Sequence, residues 1–278
     1  MNMKLILLGS GGVSATPRPT CFCRLCEEAR TKGIPFARTG PSLFVGGANL
    51  LFDTPEEIRE QLNREKIKKV ENIILTHWHP DHTQGIRIIE QINWNYDLKK
   101  PYYKPINLYI SDYQRDLFKK YSSGSFLEYY QRKGMIKLLE LADKKAIKLG
   151  NLEITPYPIK ETKAFYFLIE EKNKKVIYAP CEYYKFIPDP ELKNIDKFIV
   201  HNLFWENDKI SRRMNKPTDE DSFEQMLEHA KSFSAKEIIL THIEESFGLS
   251  HAELDKKMKK YYKSYNIKIG YDGLKINM

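Results

Sequence analysis

Apolar and polar positions alternate in short blocks along the whole chain, and two periods can be distinguished. Brief runs rich in Val, Ile, Leu and Phe read as buried strands at 4–8, 42–45, 50–53, 72–75, 106–110, 152–157, 165–169, 175–179, 197–200, 237–240 and 267–269. Between them, apolar residues three and four apart mark helices at 24–32, 112–121 and 219–232. Thr54-Pro55-Glu56-Glu57 has the form of an N-cap, a Pro at the first helical position and a capping-box Glu, with Ile58 and Leu62 on one face of the helix that follows. Ser250-His251-Ala252-Glu253 repeats the device and predicts a buried stripe of Leu254, Met258 and Tyr261. This is more strand than one sheet holds, so the pattern predicts an α/β chain with more than one layer of sheet. The stretch 93–145, dense in Lys and Tyr, is the least readable outside 106–110 and 112–121.

Composition excludes several classes. With 41% apolar and 29% charged residues, and only 14 Gly and 14 Pro in 278 residues, the chain is neither disordered nor a low-complexity or collagen-like sequence. The 45 basic and 37 acidic side chains leave +8, which favours anionic small molecules by long-range attraction. The excess is scattered Lys on solvated helix faces, so a nucleic-acid partner is not favoured, even for the basic stretch 256–263 with its interleaved Tyr261 and Tyr262. No apolar run reaches the ~7–15 residues of an export signal or the ~20 of a membrane span. Three of the four cysteines fall in Cys21-Phe22-Cys23-Arg24-Leu25-Cys26, too close for a disulfide framework. The expectation is a cytoplasmic protein without membrane partners, with cysteines that bind metal.

One internal echo points to the chemistry. Ile73-Ile74-Leu75-Thr76-His77 recurs letter for letter as Ile238-Ile239-Leu240-Thr241-His242, so two buried strands each deliver an imidazole at their carboxyl end. The first copy opens His77-Trp78-His79-Pro80-Asp81-His82, which places four metal-competent side chains within six residues. Such a turn can aim His77 and His79 at one ion and Asp81 and His82 at a second, and two ions ~3.5–4 Å apart serve hydrolytic displacement. A polar loop with satisfied histidines is the plain alternative, but loops seldom gather four ligand types.

At these residues the chain resembles the metallo-β-lactamase superfamily, whose signature is HxHxDH, and the resemblance extends over nearly its whole length. It implies a four-layer αββα sandwich, two mixed sheets flanked by helices, with residues 1–278 forming a single domain. Leu8-Gly9-Ser10-Gly11-Gly12, the CxCxxC, Thr241-His242-Ile243 and Tyr271-Asp272-Gly273-Leu274 are similar to the phosphoribosyl cyclic phosphodiesterases of that superfamily. Phe204-Trp205, Arg212-Arg213, Tyr178-Ala179-Pro180 and Pro55-Glu56-Glu57-Ile58-Arg59 are similar to the pyrroloquinoline-quinone biosynthesis protein B family. The resemblance implies one or two divalent ions (Zn, Mn or Fe) held by His77, His79, Asp81, His82 and His242, with Asp81 also orienting the attacking water. Asp53 resembles the carboxylate that orients a metal-bound His in this superfamily. The implied activity is hydrolysis of a small anionic phosphodiester. An iron-dependent oxygenase working from Asp81, His82 and His242, and an RNA-processing or RNA-binding relative, are the rival classes.

Two positions depart from the superfamily pattern. Glu161 falls where a third His is expected, and Cys181 where a bridging Asp is expected; each is read equally as a ligand or as a surface carboxylate and a buried inert thiol. His201, ending the strand 197–200, is read equally as a catalytic general acid and as a hydrogen-bonded core residue, while His229 is read as structural. Cys21, Cys23 and Cys26 have zinc-ligand spacing, and a closed structural zinc needs a fourth donor. The resemblance puts Glu245 there, with His251 as a substitute. A homo-oligomer, in the form of a dimer, is the expected assembly.

Overall fold

A computed structural model describes residues 3–121, 124–182, 185–201 and 221–278. Its first sheet contains β1 (Lys4–Gly9), β2 (Ser42–Val45), β3 (Leu50–Phe52), β4 (Asn72–Ile74), β7 (Ile106–Ile110), β8 (Ile136–Glu140) and β16 (Leu274–Asn277). Its second contains β9 (Ile147–Leu149), β10 (Leu152–Ile159), β11 (Ala164–Glu171), β12 (Lys174–Ala179), β13 (Lys197–Val200), β14 (Ile238–Leu240) and β15 (Ile267–Ile269). Between β4 and β7 a small ribbon pairs β5 (Trp94–Asn95) with β6 (Lys100–Pro101). The orders are β16-β1-β2-β3-β4-β7-β8 and β15-β14-β13-β12-β11-β10-β9. Within them β3, β4, β7 and β8 run parallel, as do β12, β13, β14 and β15. Parallel pairing gathers strand carboxyl ends along one edge of each sheet, where ligand sites form in open α/β sheets.

Period-two alternation explains the four layers. Leu5, Leu7, Phe52, Ile74, Phe167, Tyr178, Ile199 and Ile239 point between the sheets into one buried cluster. Phe52 meets the edges of Phe167 and Tyr178 at centroid distances of 5.0 and 5.2 Å, contacts of about 0.5–1.5 kcal/mol each beyond their burial. The outer face of the first sheet is covered by α2 (Ile58–Arg64), α4 (Ile88–Asn93), α5 (Asp112–Tyr121) and α6 (Gly124–Arg132). Two later helices, α7 (Phe223–Ser232) and α8 (His251–Tyr261), cover the second sheet through Met226, Leu227, Leu254 and Met258. The αββα expectation is borne out. In both copies of the repeated pentapeptide the second Ile (74 or 239) faces the inter-sheet core, while its neighbours face the helices.

Several local expectations are corrected. The Thr54 capping box does not form: α2 begins at Ile58 with Glu57 before it, and Thr54 Oγ1 is buried without a hydrogen-bond partner. Its backbone is committed elsewhere, since Thr54 N–H donates to His82 O at 2.7 Å and Thr54 O accepts from Gly85 N–H at 2.8 Å. The Ser250 capping box is present, but Tyr261 is 64% exposed and Tyr262 packs against the core instead. The helix expected from 219 begins at Phe223, because Ser222 caps it in a capping box with Gln225. Within 93–145 the strand at 106–110 and the helix at 112–121 form as expected, while β5, β6, β8 and α6 are elements that the sequence pattern did not resolve. Phe204-Trp205 and Arg212-Arg213 lie outside the described residues.

Candidate metal centre

Strand β4 ends into Thr76-His77, and the chain turns through His79 into the short α3 (Pro80–Thr83), which carries Asp81 and His82. Asp53, fully buried after β3, organises this turn. Thr76 N–H and Oγ1–H donate to its carboxylate at 2.8 and 2.9 Å, and His82 Nδ1–H donates at 2.7 Å. Because a carboxylate only accepts, the proton of His82 is held on Nδ1 and Nε2 is left for a ligand. Thr76 Oγ1, its own proton committed to Asp53, accepts from His77 Nδ1 at 3.1 Å, which leaves His77 Nε2 in the same state. His77 Nε2, His82 Nε2 and His242 Nδ1 are buried with no hydrogen bond.

From the second sheet, β14 brings His242 to the same place, its ring stacked 5.5 Å from that of His82. Gly12 lies against it so closely that a Cβ there would come within 2.8 Å of His242 Nδ1. The loop carrying Gly12 is fixed by Asp272, which accepts from Ser10 N–H at 2.9 Å and from Thr39 N–H at 2.9 Å. Ile243 N–H then donates to Ser10 O at 2.8 Å. Asp53, His242 and Glu182 all adopt positive φ (62°, 55° and 57°), a conformation that costs L-residues roughly 1–2 kcal/mol.

Opposite charges interleave here. Asp81 Oδ2 lies 3.3 Å from both His82 Nε2 and His242 Nε2. Burial alone would raise Asp81, but the two imidazoles hold its carboxyl well below the usual range. Burial opposes a charge on His82, yet Asp53 and Asp81 carry it up to about 10. Burial likewise opposes a thiolate at Cys181, and His242 and His77 reverse that, holding it well below an ordinary thiol. Burial, then the nearby Cys181, push Glu182 up to about 7. Burial, then His242, push His201 down to about 3.

Ligand atoms within 4.8 Å of one another form four overlapping groups: His77, His79 and Glu182; His77, His82 and Cys181; Asp81, His82 and His242; and Cys181, His201 and His242. Buried imidazole nitrogens facing carboxylates and a thiol, whose protons an ion would displace, are a donor set that fits divalent ions. The structure therefore brings together His77, His79, Asp81, His82, Cys181 and His242. It places His201 among them, 4.5 Å ring to ring from His242, as a further donor rather than a detached acid. Glu161 is not brought in: it is exposed on the turn between β10 and β11 and joins none of these groups. Sequence reasoning passed over Glu182, whose Oε1 is 3.1 Å from His79 Nδ1; its only signal was its place next to Cys181. His229 lies apart, on α7 against Phe186.

A second group joins Cys21, Cys23, Cys26 and Glu245. Cys26 Sγ is 2.7 Å and Cys23 Sγ 3.3 Å from Glu245 Oε2, and Cys21 Sγ is 3.7 Å away. Burial, then Glu245, push the Cys26 thiol up to about 12, so it donates to the carboxylate; a zinc ion satisfies the same donors by replacing such protons. His251 is not the substitute ligand, because its Nδ1 is engaged 3.0 Å from Arg38 Nη2.

Fold and donors together define an αββα protein with a divalent-metal centre. The chain belongs to the beta-lactamase superfamily: the profile of the family described as a beta-lactamase superfamily domain matches residues 48–243. Among solved structures it is similar to a diphosphatase from the PhnP family (22% identity, TM-score 0.72, covering 100% of this chain and 98% of that one). It is also similar to zinc-bound PqqB from Methylobacterium extorquens (15% identity, TM-score 0.73, 99% and 100% covered). Among curated proteins it is 26% identical over 203 residues to a ribonuclease Z from Thermococcus gammatolerans (70% of this chain, 56% of that one). It is 28% identical over 162 residues to an octanoyltransferase from Porphyromonas gingivalis (56% and 30%). The chain thus spans from under a third to just over half of these curated relatives. No helix among the described residues is long and apolar enough to cross a membrane.

Proposed function

We propose that this chain is a metal-dependent hydrolase, a phosphodiesterase acting on a small anionic ester. The observation that carries this reading is the convergence of His77, His79, Asp81, His82 and His242 from the carboxyl ends of two sheets on one place. Bound divalent ions would supply Lewis acidity toward an ester oxygen and acidify a water. Asp81 orients that water, because its carboxylate is already fixed between two imidazoles. His201, which burial and then His242 keep neutral, stands beside Cys181 and His242 as a further imidazole donor. Lys160 and Lys163, exposed on the β10–β11 turn, attract an anion to this edge, where Phe165 N–H donates to Thr76 O at 3.1 Å. The diphosphatase and ribonuclease Z similarities support phosphoester chemistry. Four free cysteines suit a reducing compartment such as the cytoplasm.

The test is turnover of bis(p-nitrophenyl) phosphate by metal-depleted protein reloaded with Zn, Mn or Fe. Metal-restored turnover that is lost in His79→Ala supports the reading; ion binding without turnover of any phosphodiester argues against it. A second reading, an iron-dependent oxygenase, is favoured by one observation: two imidazoles and a carboxylate recur in the donor groups, a set used by non-haem iron. Iron in the isolated protein together with oxygen consumption would select it.

A further inference from the structure

We infer that Glu182, rather than Glu161, completes the first cation position, so that two adjoining positions each offer two imidazoles and one carboxylate, with the Cys181 sulfur between them. This rests on the metal-dependent reading above and says how the chain departs from an imidazole-dominated centre. His77, His79 and Glu182 form one group of mutually close donors, and Asp81, His82 and His242 form the other. Cys181 Sγ belongs to a group with His77 and His82 and to another with His242, so it touches both positions. No other residue described here does so from outside the HxHxDH turn.

The local backbone explains how adjacent residues serve two positions. Strand β12 ends at Ala179, Pro180 withholds a backbone N–H, and Glu182, directly after Cys181, takes φ 57°. A Glu in the left-handed region is unfavourable and persists only where the surroundings hold it. Here its side chain is 19% exposed, with Oε1 against His79. Glu161, by contrast, sits beyond the end of β10 in a tight turn whose register with β11 runs without interruption to Ile159 and Ala164. The hairpin carries it away from the donors. A carboxylate in each position makes both harder than an all-imidazole site, a set suited to Mn, Fe or Zn.

Metal content after exhaustive dialysis of manganese-loaded protein, read with its electron paramagnetic resonance spectrum, tests this. Glu182→Gln should lose one of the two centre ions and replace the exchange-coupled spectrum of neighbouring ions with the hyperfine sextet of an isolated one. Glu161→Gln should keep the wild-type content and spectrum. Glu182→His, which restores a donor of similar reach, should keep both ions and guards against a folding defect in the Gln variant. Full content with an unchanged coupled spectrum in Glu182→Gln, or loss of an ion in Glu161→Gln, overturns the assignment. A wild-type protein whose centre takes up none of Mn, Fe or Zn would instead sink the metal-dependent reading itself.

Discussion

At the main centre every donor leaves a strand end or the turn right after one, and Asp53 holds His82 directly at 2.7 Å and His77 through Thr76, inside the sheets' own framework. At the cysteine cluster three donors lie on a loop and the first turn of α1 (Arg24–Lys32), while the fourth, Glu245, is 219 to 224 residues away in sequence. The first arrangement is held by hydrophobic layers that fold for their own reasons, so an ion finds a prepared site. In the second, the part-exposed ion pairs of Arg18 with Glu245 (2.7 Å) and of Arg24 with Glu253 (3.0 Å) join the same two segments, and an ion there would add a further fastening to them. The difference separates chemistry from stability, and substitutions at the two clusters should divide along that line.

The largest effect on activity is expected at the main centre. His242→Ala should lower phosphodiester turnover by roughly 10²–10³-fold and remove centre metal while leaving the thermal melt close to wild type. A large drop in melting temperature would erase the contrast. Next, Cys23→Ser should remove about one zinc per chain and lower the melting temperature by more than ~4 °C, over ~1 kcal/mol for a chain of this size. Wild-type zinc content with wild-type melting would contradict the fastening. Asp53→Asn should leave the ligands in place but misdirect His82, weakening centre-metal affinity by about 10–100-fold in a competition titration. The smallest effect is expected at Thr54: since its hydroxyl has no partner, Thr54→Val should cost less than the ~0.5–2 kcal/mol of a lost helix cap. Chemical denaturation distinguishes the two.

The same contrast explains what was legible in the sequence. His77, His79, Asp81, His82 and His242 were readable because their spacing and the repeated strand encode them locally, at the ends of buried strands. Strand count and alternation showed that more than one layer of sheet was needed, and the resemblance carried by the HxHxDH turn supplied the αββα order. Glu182 was hidden because its placement depends on a left-handed backbone conformation that no local pattern signals, while the superfamily pattern pointed to Glu161, which is exposed on the β10–β11 turn. Thr54 misled for a similar reason: its capping signal is genuine, but tertiary bonds to the His82 turn took its backbone first. Tyr261 lies where helical spacing predicts burial, yet α8 ends there and its neighbour Tyr262 packs inward instead.

The most direct measurement is a titration of metal-depleted protein with Mn, Fe or Zn that follows bound ions and phosphodiester turnover in the same samples. The account predicts no turnover without metal and a rise that saturates at about two ions per chain at the centre, beyond any zinc on the cysteine cluster. Turnover that is indifferent to metal, or a centre that fills with ions and hydrolyses no phosphodiester, would contradict it.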